Sequence, residues 1–315
     1  MINTGCLDKI LSLVCTVFDA YSAVFFSRIT DSKYILKSHF SLGDSISRDI
    51  EVDCGCGLVG WILKHDKPLR LNKFNREQSC LGYYEKGEEN KIKAFMGCPL
   101  PEGRGVLCVD SKRTHHFSEK DLKILIQFAD LIDLLDQKLC QASLEFKKIL
   151  YYTYLKLAIS LPKQSLRWDE FLKKLLKILQ DASGFKYAFF VVRDELGKAF
   201  LVEGMNKEIE GIQVGEKYPM STGLLGWVFN YGKDIIRSEH GKRDLCLLAG
   251  QDSRIEFRSF VCLPLKVNKK TRSVLVIADD EFKEIDSELE EFLYALKDYL
   301  SLFLEDLYFK NKAKG

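Results

Sequence analysis

DCGCGLVGW, residues 53–61, decides the fold, because its second half returns as GLLGW at residues 223–227. With Gly57 set on Gly223 the offset is 166, and GLVGWILKHDKPLRL faces GLLGWVFNYGKDIIR. Upstream, YSAVFFSR (Tyr21 to Arg28) faces KYAFFVVR (Lys186 to Arg193) at an offset of 165. Downstream, FMGCPL (Phe95 to Leu100) faces FVCLPL (Phe260 to Leu265), and GVLCVD (Gly105 to Asp110) is answered by SVLVIAD (Ser273 to Asp279). Blocks that recur in one order at a steady offset identify a tandem duplication.

Each copy repeats one order of elements. Apolar spacing predicts a helix at Leu7–Asp19 and again at Trp168–Ala182. Alternating bulky residues predict strands at Ala23–Arg28 and Tyr34–Phe40, and at Ala188–Arg193 and Lys198–Glu203. The Gly-Leu-x-Gly-Trp helix follows, then an irregular polar stretch, a hairpin ending in Asp110 or Asp279, and a long apolar helix. The expected fold class is α+β, with two central antiparallel sheets flanked by helices and joined by a long helix. Expected boundaries are 1–140 for the first domain, 141–162 for the connecting helix and 163–315 for the second domain with its C-terminal helix.

These features resemble the GAF domain, and the resemblance spans nearly the whole chain twice. It rests on Gly57-x-x-Gly60-Trp61 and Gly223-x-x-Gly226-Trp227, and on the short strands ending in Pro99-Leu100 and Pro264-Leu265. The Gly105–Asp110 strand followed by Phe117-Ser118-Glu119 and Asp121 adds to it. The resemblance implies a sensory or regulatory module with a small-molecule pocket between one sheet face and a helical lid.

The bulk numbers set limits. The 315 residues suit two domains, and 46% hydrophobic with 29% charged residues describe a globular chain. A net charge of +2 gives no reason to expect nucleic acid, and no apolar run is long enough for a membrane span. The N-terminal stretch MINTGCLDKILSLVCTVFDAY reads as an amphipathic helix, so a cytoplasmic location is the expectation.

Gly57, Gly60 and their counterparts read as architecture, with Trp61 and Trp227 as core anchors and, under the resemblance, pocket neighbours. Specificity is expected in the unlike lids, Asn72–Lys93 and Arg237–Arg258. The first-domain ligand candidates are Cys56, Trp61, Asn72, Cys80, Tyr83, Tyr84, Phe95 and Cys98. Those of the second domain are Trp227, Arg237, Arg254, Arg258 and Cys262, the arginines being suited to phosphate or carboxylate. The Asn-Lys…Phe…Asp-Glu signature of cyclic-nucleotide-binding members is only partly matched by Ser111-Lys112, Phe117 and Asp121-Leu122. No Cys-His pair is present for a bilin. The ligand and any cofactor stay unidentified.

Eight of the ten cysteines fall in the first copy. The second places Met220 and Thr222 where the first has Cys54 and Cys56, so the fold does not require sulfur there. A helix N-terminus favours anions, which makes Cys54 and Cys56, with Cys80 in the lid, the redox candidates. Cys15, Cys98, Cys108 and Cys140 read as small core hydrophobes. A hairpin register summing to about 206 would set Cys98 across from Cys108. Repeated C-x-x-C spacing is absent, and no metal site is expected. In free methionine-R-sulfoxide reductase, a GAF-fold enzyme, a catalytic cysteine would align with Val59 here, which argues against that activity.

From Ser118 to about Ser160 the chain is expected to be helical, with apolar residues at Leu139, Ala142, Phe146, Ile149, Thr153 and Leu157 suited to pairing in a homodimer. A second such helix is expected at Glu284–Phe309. No kinase, cyclase, phosphodiesterase or DNA-binding signature follows, so the output is expected in a longer protein or in a signalling partner protein. The favoured function is a non-catalytic sensor that binds a small molecule or reads redox state through cysteines. The alternatives are a thiol- or metal-dependent enzyme of the methionine sulfoxide reductase kind and a ligandless dimerisation module.

Overall fold

The computed structural model describes residues 5–312 except 44–45, 48–49, 77–78, 86–87, 165–166, 222, 238–246 and 248–256. Two compact units divide the chain, residues 1–144 and 145–315. The first contains α1 (Gly5–Phe18), β1 (Ser22–Arg28), β2 (Lys33–Ser41), β3 (Glu51–Asp53), α2 (Gly57–His65), β4 (Leu69–Leu71), β5 (Ala94–Pro99) and β6 (Gly105–Ser111). Helix α3 (Glu119–Ser160) begins in the first unit and ends in the second. The second continues with α4 (Trp168–Ser183), β7 (Tyr187–Arg193), β8 (Ala199–Met205), β9 (Lys217–Pro219), α5 (Gly223–Tyr231), β10 (Ile235–Arg237), β11 (Ser259–Val267), β12 (Lys270–Asp279) and α6 (Ser287–Lys312).

Each unit has a six-stranded antiparallel sheet, ordered β3-β2-β1-β6-β5-β4 in one and β9-β8-β7-β12-β11-β10 in the other. The duplication reaches fine detail. The β1–β2 ladder shifts register between Phe25 and Phe26, and the β7–β8 ladder shifts between Phe190 and Val191, the corresponding pair. This is the α+β class expected from the repeat.

Strand alternation divides each core into two layers. On one face of the first sheet, Ala23 and Phe25 pack with Leu7, Leu11 and Val14 of α1 and with Leu125, Ala129 and Ile132 of α3. On the other, Val24 and Phe26 pack with Val59 and Ile62 of α2 and with the lid residues Leu81 and Tyr83. In the second unit α4 and α6 cover the helical face through Phe171, Leu175, Phe292 and Leu296. Val228 of α5 and Leu247 lie on its opposite face. A capping box starts α3: Ser118 N and Oγ donate to Asp121 at 2.7 Å, and Asp121 N donates back to Ser118 Oγ.

Three expectations need correction. Cys98 pairs with Leu107 and Cys108 with Gly97, so the register sums to 205 rather than 206. That single step turns Cys98 to the helical face while Cys108 stays on the lid face, because side chains alternate across a sheet. The last helix starts at Ser287, not Glu284, because Asp286 Oδ1 accepts the Leu289 N–H at 2.9 Å and caps it. Cys140 is exposed rather than packed in an apolar face, and its sulfur accepts from Lys37 Nζ at 3.7 Å. No helix among the described residues is long and apolar enough to cross a membrane.

Candidate functional site

The lid face of the first unit is organised by two close approaches to α2. At Gly57 φ is +65°, a left-handed value that suits glycine, and an added Cβ would sit 2.7 Å from the Cys80 carbonyl oxygen. At Gly60 an added Cβ would meet the Asp53 carbonyl and the Gly55 backbone. The second unit has the left-handed φ again, +72° at Gly223, and the Met220 carbonyl against Gly226. The glycines therefore let the helix start sit directly on backbone.

The tryptophans do not anchor the core. Trp61 is 37% exposed and Trp227 40% exposed. On α2 the buried positions are Leu58, Val59, Gly60 and Ile62, which turns residue 61 to the outer side of the helix. There Trp61 stacks on His65 with ring centroids 4.4 Å apart, and Trp227 lies 5.0 Å from Tyr231, each a one-turn partner on the same helix.

Beneath the lid, the chain fills the sheet face with its own aromatic residues. Tyr83 and Phe95 have no solvent exposure, and they pack with Phe26, Ile62 and Cys108. Gly97 makes room for this, since an added Cβ would lie 2.6 Å from Ile62 Cδ1 and 2.9 Å from Cys108 Sγ.

At the sheet end of this layer Asp110 is completely buried. Its Oδ2 accepts from Ser22 Oγ at 2.6 Å, from the Tyr83 hydroxyl at 2.8 Å and from the Tyr84 hydroxyl at 2.8 Å. Tyr84 also reaches Oδ1 at 2.9 Å. Desolvation pushes the Asp110 carboxyl up to about 6 against the opposing pull of these hydrogen bonds. Burial first, and then the facing carboxylate, raises both tyrosines, which keeps them as donors. Two of the three donors come from the lid, so this buried carboxyl ties the lid to the sheet. The isolated bridge between Ile46 and Tyr84 adds a backbone tie. Asp110 was expected only as a strand end. An aspartate closing a run of apolar residues, GVLCVD, is the signal that marks it, since a buried carboxyl requires donors. Glu89 had no such signal. It is buried within the lid, accepts the Leu81 N–H and lies 3.7 Å from Arg76 Nε.

The remaining candidates separate by location. Asn72 acts as a structural tie: its Oδ1 accepts the Phe117 N–H at 3.2 Å and its carbonyl accepts the His115 N–H at 2.9 Å. Cys98 lies on the helical face, outside the lid layer where the ligand expectation had placed it. In the second unit Arg237 pairs with Phe260 across β10–β11, and its guanidinium lies 5.9 Å from the Phe260 ring centre. Arg258 is exposed, and its N–H donates to the Asp279 carbonyl at 2.9 Å. Cys262 is buried in the lid-face layer. Arg254 lies outside the described residues.

The thiols form two classes. Burial pushes Cys15 up to about 12 and raises Cys98, Cys108 and Cys262 well above the ordinary thiol range. By contrast, Cys56 and Cys80 are exposed and Cys54 is half-buried. Cys56 is the N-cap residue of α2 and its side chain makes no capping bond. Cys80 accepts the Leu58 N–H at its carbonyl, 2.8 Å away, and its sulfur is 3.1 Å from where a Gly57 Cβ would be. The sequence places these residues 24 apart, and the lid returns one to the other. Among the described residues no group of three or more His, Cys, Asp or Glu is arranged to hold a metal ion.

A family model described as "GAF domain" matches residues 4–135. The GAF domain of an Acinetobacter phosphoenolpyruvate-protein phosphotransferase is 21% identical, over 48% of this chain and 89% of that one, with a TM-score of 0.42. Free methionine-R-sulfoxide reductase from Neisseria meningitidis, solved with its substrate, is 17% identical over 49% and 88%, TM-score 0.41. An A. aeolicus nlh2 GAF domain in an inactive state is 18% identical over 50% and 98%, TM-score 0.40. No curated protein matches the chain. At these identities and scores, no activity passes from the solved structures to this one.

Proposed function

Because residues 4–135 are a GAF domain, we propose that the chain is a non-catalytic regulatory module that responds to oxidants through Cys54, Cys56 and Cys80. The observation that carries this reading is the split among the thiols. Three accessible thiols gather where the lid meets the start of α2, apart from the isolated exposed Cys6 on α1 and Cys140 on α3, while the buried ones are held protonated. Accessible thiols are the ones that a dissolved oxidant can reach.

Transmission is assigned to the helices and a second copy of the chain. Along α3, Phe146 is 67% exposed and Ile149 64% exposed, and Leu157 continues the apolar series in steps of three and four with Thr153 between. Such a stripe suits pairing with its own copy, which then presents a surface to a signalling partner.

A second reading is favoured by Asp110. A small molecule entering under the lid would displace Tyr83 and Tyr84 from the carboxyl and would have to supply donors of its own. In the second unit, Trp227, Arg237, Arg254, Arg258 and Cys262 remain the candidates for a different, anionic ligand. The competing enzyme reading, a thiol-dependent reductase, is disfavoured by Val59, which is fully buried and carries no sulfur.

Timed alkylation of the native protein, followed by peptide mass mapping, tests the proposal. Cys54, Cys56 and Cys80 should be labelled and peroxide should block that labelling, whereas Cys15, Cys98, Cys108 and Cys262 should react only after unfolding. Labelling of the three that is untouched by peroxide would overturn it.

A further inference from the structure

We propose that Cys56 and Cys80 form a reversible disulfide that staples the lid of the first domain to the start of α2. This inference rests on the regulatory reading above and specifies how its signal is stored.

Four observations carry it. The Cys80 backbone is already docked on the first turn of α2 through the 2.8 Å bond from Leu58 N–H to its carbonyl. Its sulfur lies over Gly57, the residue directly after Cys56, in the space that the missing Cβ leaves open. The Cys56 side chain is exposed and does not serve its own helix as a cap. Cys54 is disposed differently: it is half-buried against the lid-face core, and its N–H is held by the Ser32 carbonyl at 3.0 Å.

The second unit supplies an internal control. There a similar backbone bond, displaced by one residue at both ends, runs from Leu225 N–H to the Leu247 carbonyl at 3.2 Å. The sequence has Thr222 in place of Cys56, and Leu247 takes the docking role of Cys80. Docking a lid on the helix start therefore needs no sulfur. The pair is confined to the first copy: at the offset of 166 Cys246 answers Cys80, but Thr222 answers Cys56.

A peroxide is the oxidant class required. One thiolate attacks the O–O bond, forming a sulfenic acid and releasing hydroxide, which takes up a proton as water. The second thiolate then attacks the sulfenic sulfur and expels its oxygen as hydroxide, which takes up a proton as a second water, giving the S–S bond. Two thiols are oxidised and one peroxide is reduced. A dithiol reductant reverses the step. In the stapled state Tyr83 and Tyr84, three and four residues beyond Cys80, are held on Asp110 and the lid cannot lift.

The full chain, reduced and then treated with equimolar hydrogen peroxide, should yield a Cys56–Cys80 crosslinked peptide on non-reducing mass mapping. Limited proteolysis within residues 72–93 should slow by roughly a hundredfold on oxidation, the scale of closing a loop of this length in the opened state. The C54S variant should keep both effects, and C56S and C80S should each lose both. Wild-type mapping alone decides the case if a variant fails to fold. Thiols that react without a Cys56–Cys80 link, whether by sulfinic acid or by a Cys54 pairing, overturn the staple and leave the regulatory reading intact. Thiols that do not respond to peroxide overturn both.

Discussion

The two units share a frame and differ in what is attached to it. Strand order, the displaced register after Phe25 and Phe190, and the helix starts at Gly57 and Gly223 coincide. The aspartates closing β6 and β12 are both buried, but their partners differ. Asp110 receives three side-chain hydroxyls, two of them from the lid. Asp279 instead receives the backbone N–H groups of Lys186 at 3.0 Å and Glu281 at 3.0 Å, with Lys283 Nζ 4.0 Å away. One carboxyl thus fastens a lid, and the other fastens the sheet end to its flanking turns. The difference teaches that duplication preserved the close backbone approaches, which tolerate no side chain, and released the positions that only require a polar partner.

The largest expected effect tests the shared frame. Gly60→Ala and Gly226→Ala each drive a methyl into a carbonyl oxygen of the preceding turn, so each should destabilise its own unit by about 3 kcal/mol, the upper end for overpacking. Chemical denaturation of the two variants should show similar losses. A loss in one unit only would break the equivalence of the helix starts.

Much of this frame was legible in the sequence. Repeated glycines and alternating apolar strands are set by local sterics and by burial, which leave a periodic trace. What escaped was set by single-residue geometry. A change of one in the hairpin register moved Cys98 to the helical face, and no pattern in FMGCPL distinguishes 205 from 206. The Asp110 cluster joins Ser22, Tyr83 and Tyr84 from distant parts of the chain, so its donors could not be read from the strand that carries it. The thiols at the α2 start were legible because they stand inside the repeat and break it.

The next effect distinguishes the two aspartates by pH. The Asp110 carboxyl holds its proton up to about 6 when folded and releases it near 4 when unfolded. The folded state therefore binds more protons between those values, and stability from this group is full below pH 4 and lost as pH rises through 6. Over that window the first unit should weaken by up to about 3 kcal/mol, with no further change from this group above it. Asp110→Asn should remove that slope from a pH series of urea melts. An unchanged slope would mean that the carboxyl is not the titrating group.

Tyr83→Phe is a smaller change to the same cluster. It deletes one donor while keeping the buried ring, so the Asp110 carboxylate loses one of its three hydroxyl partners. A loss of about 1–2 kcal/mol is expected at neutral pH. The loss should shrink toward pH 4, where the protonated carboxyl needs fewer donors. A loss of equal size at both pH values would assign the hydroxyl to packing rather than to the carboxylate.

The smallest expected effect belongs to the most conspicuous residues of the repeat. A tryptophan that anchored a core would lose 3–5 kcal/mol on truncation to alanine. Trp61 and Trp227 instead lie on the outer side of their helices, stacked on His65 and Tyr231, and each retains more than a third of its surface in solvent. Removing either ring forfeits one contact along a helix and part of a half-covered surface, so Trp61→Ala and Trp227→Ala should each cost about 1 kcal/mol or less. Equal small losses in both units would leave these rings, exposed at matching positions on two similar helices, available to contact something outside their own domain. A loss of core size in either unit would instead restore the anchoring role that the repeat alone suggests.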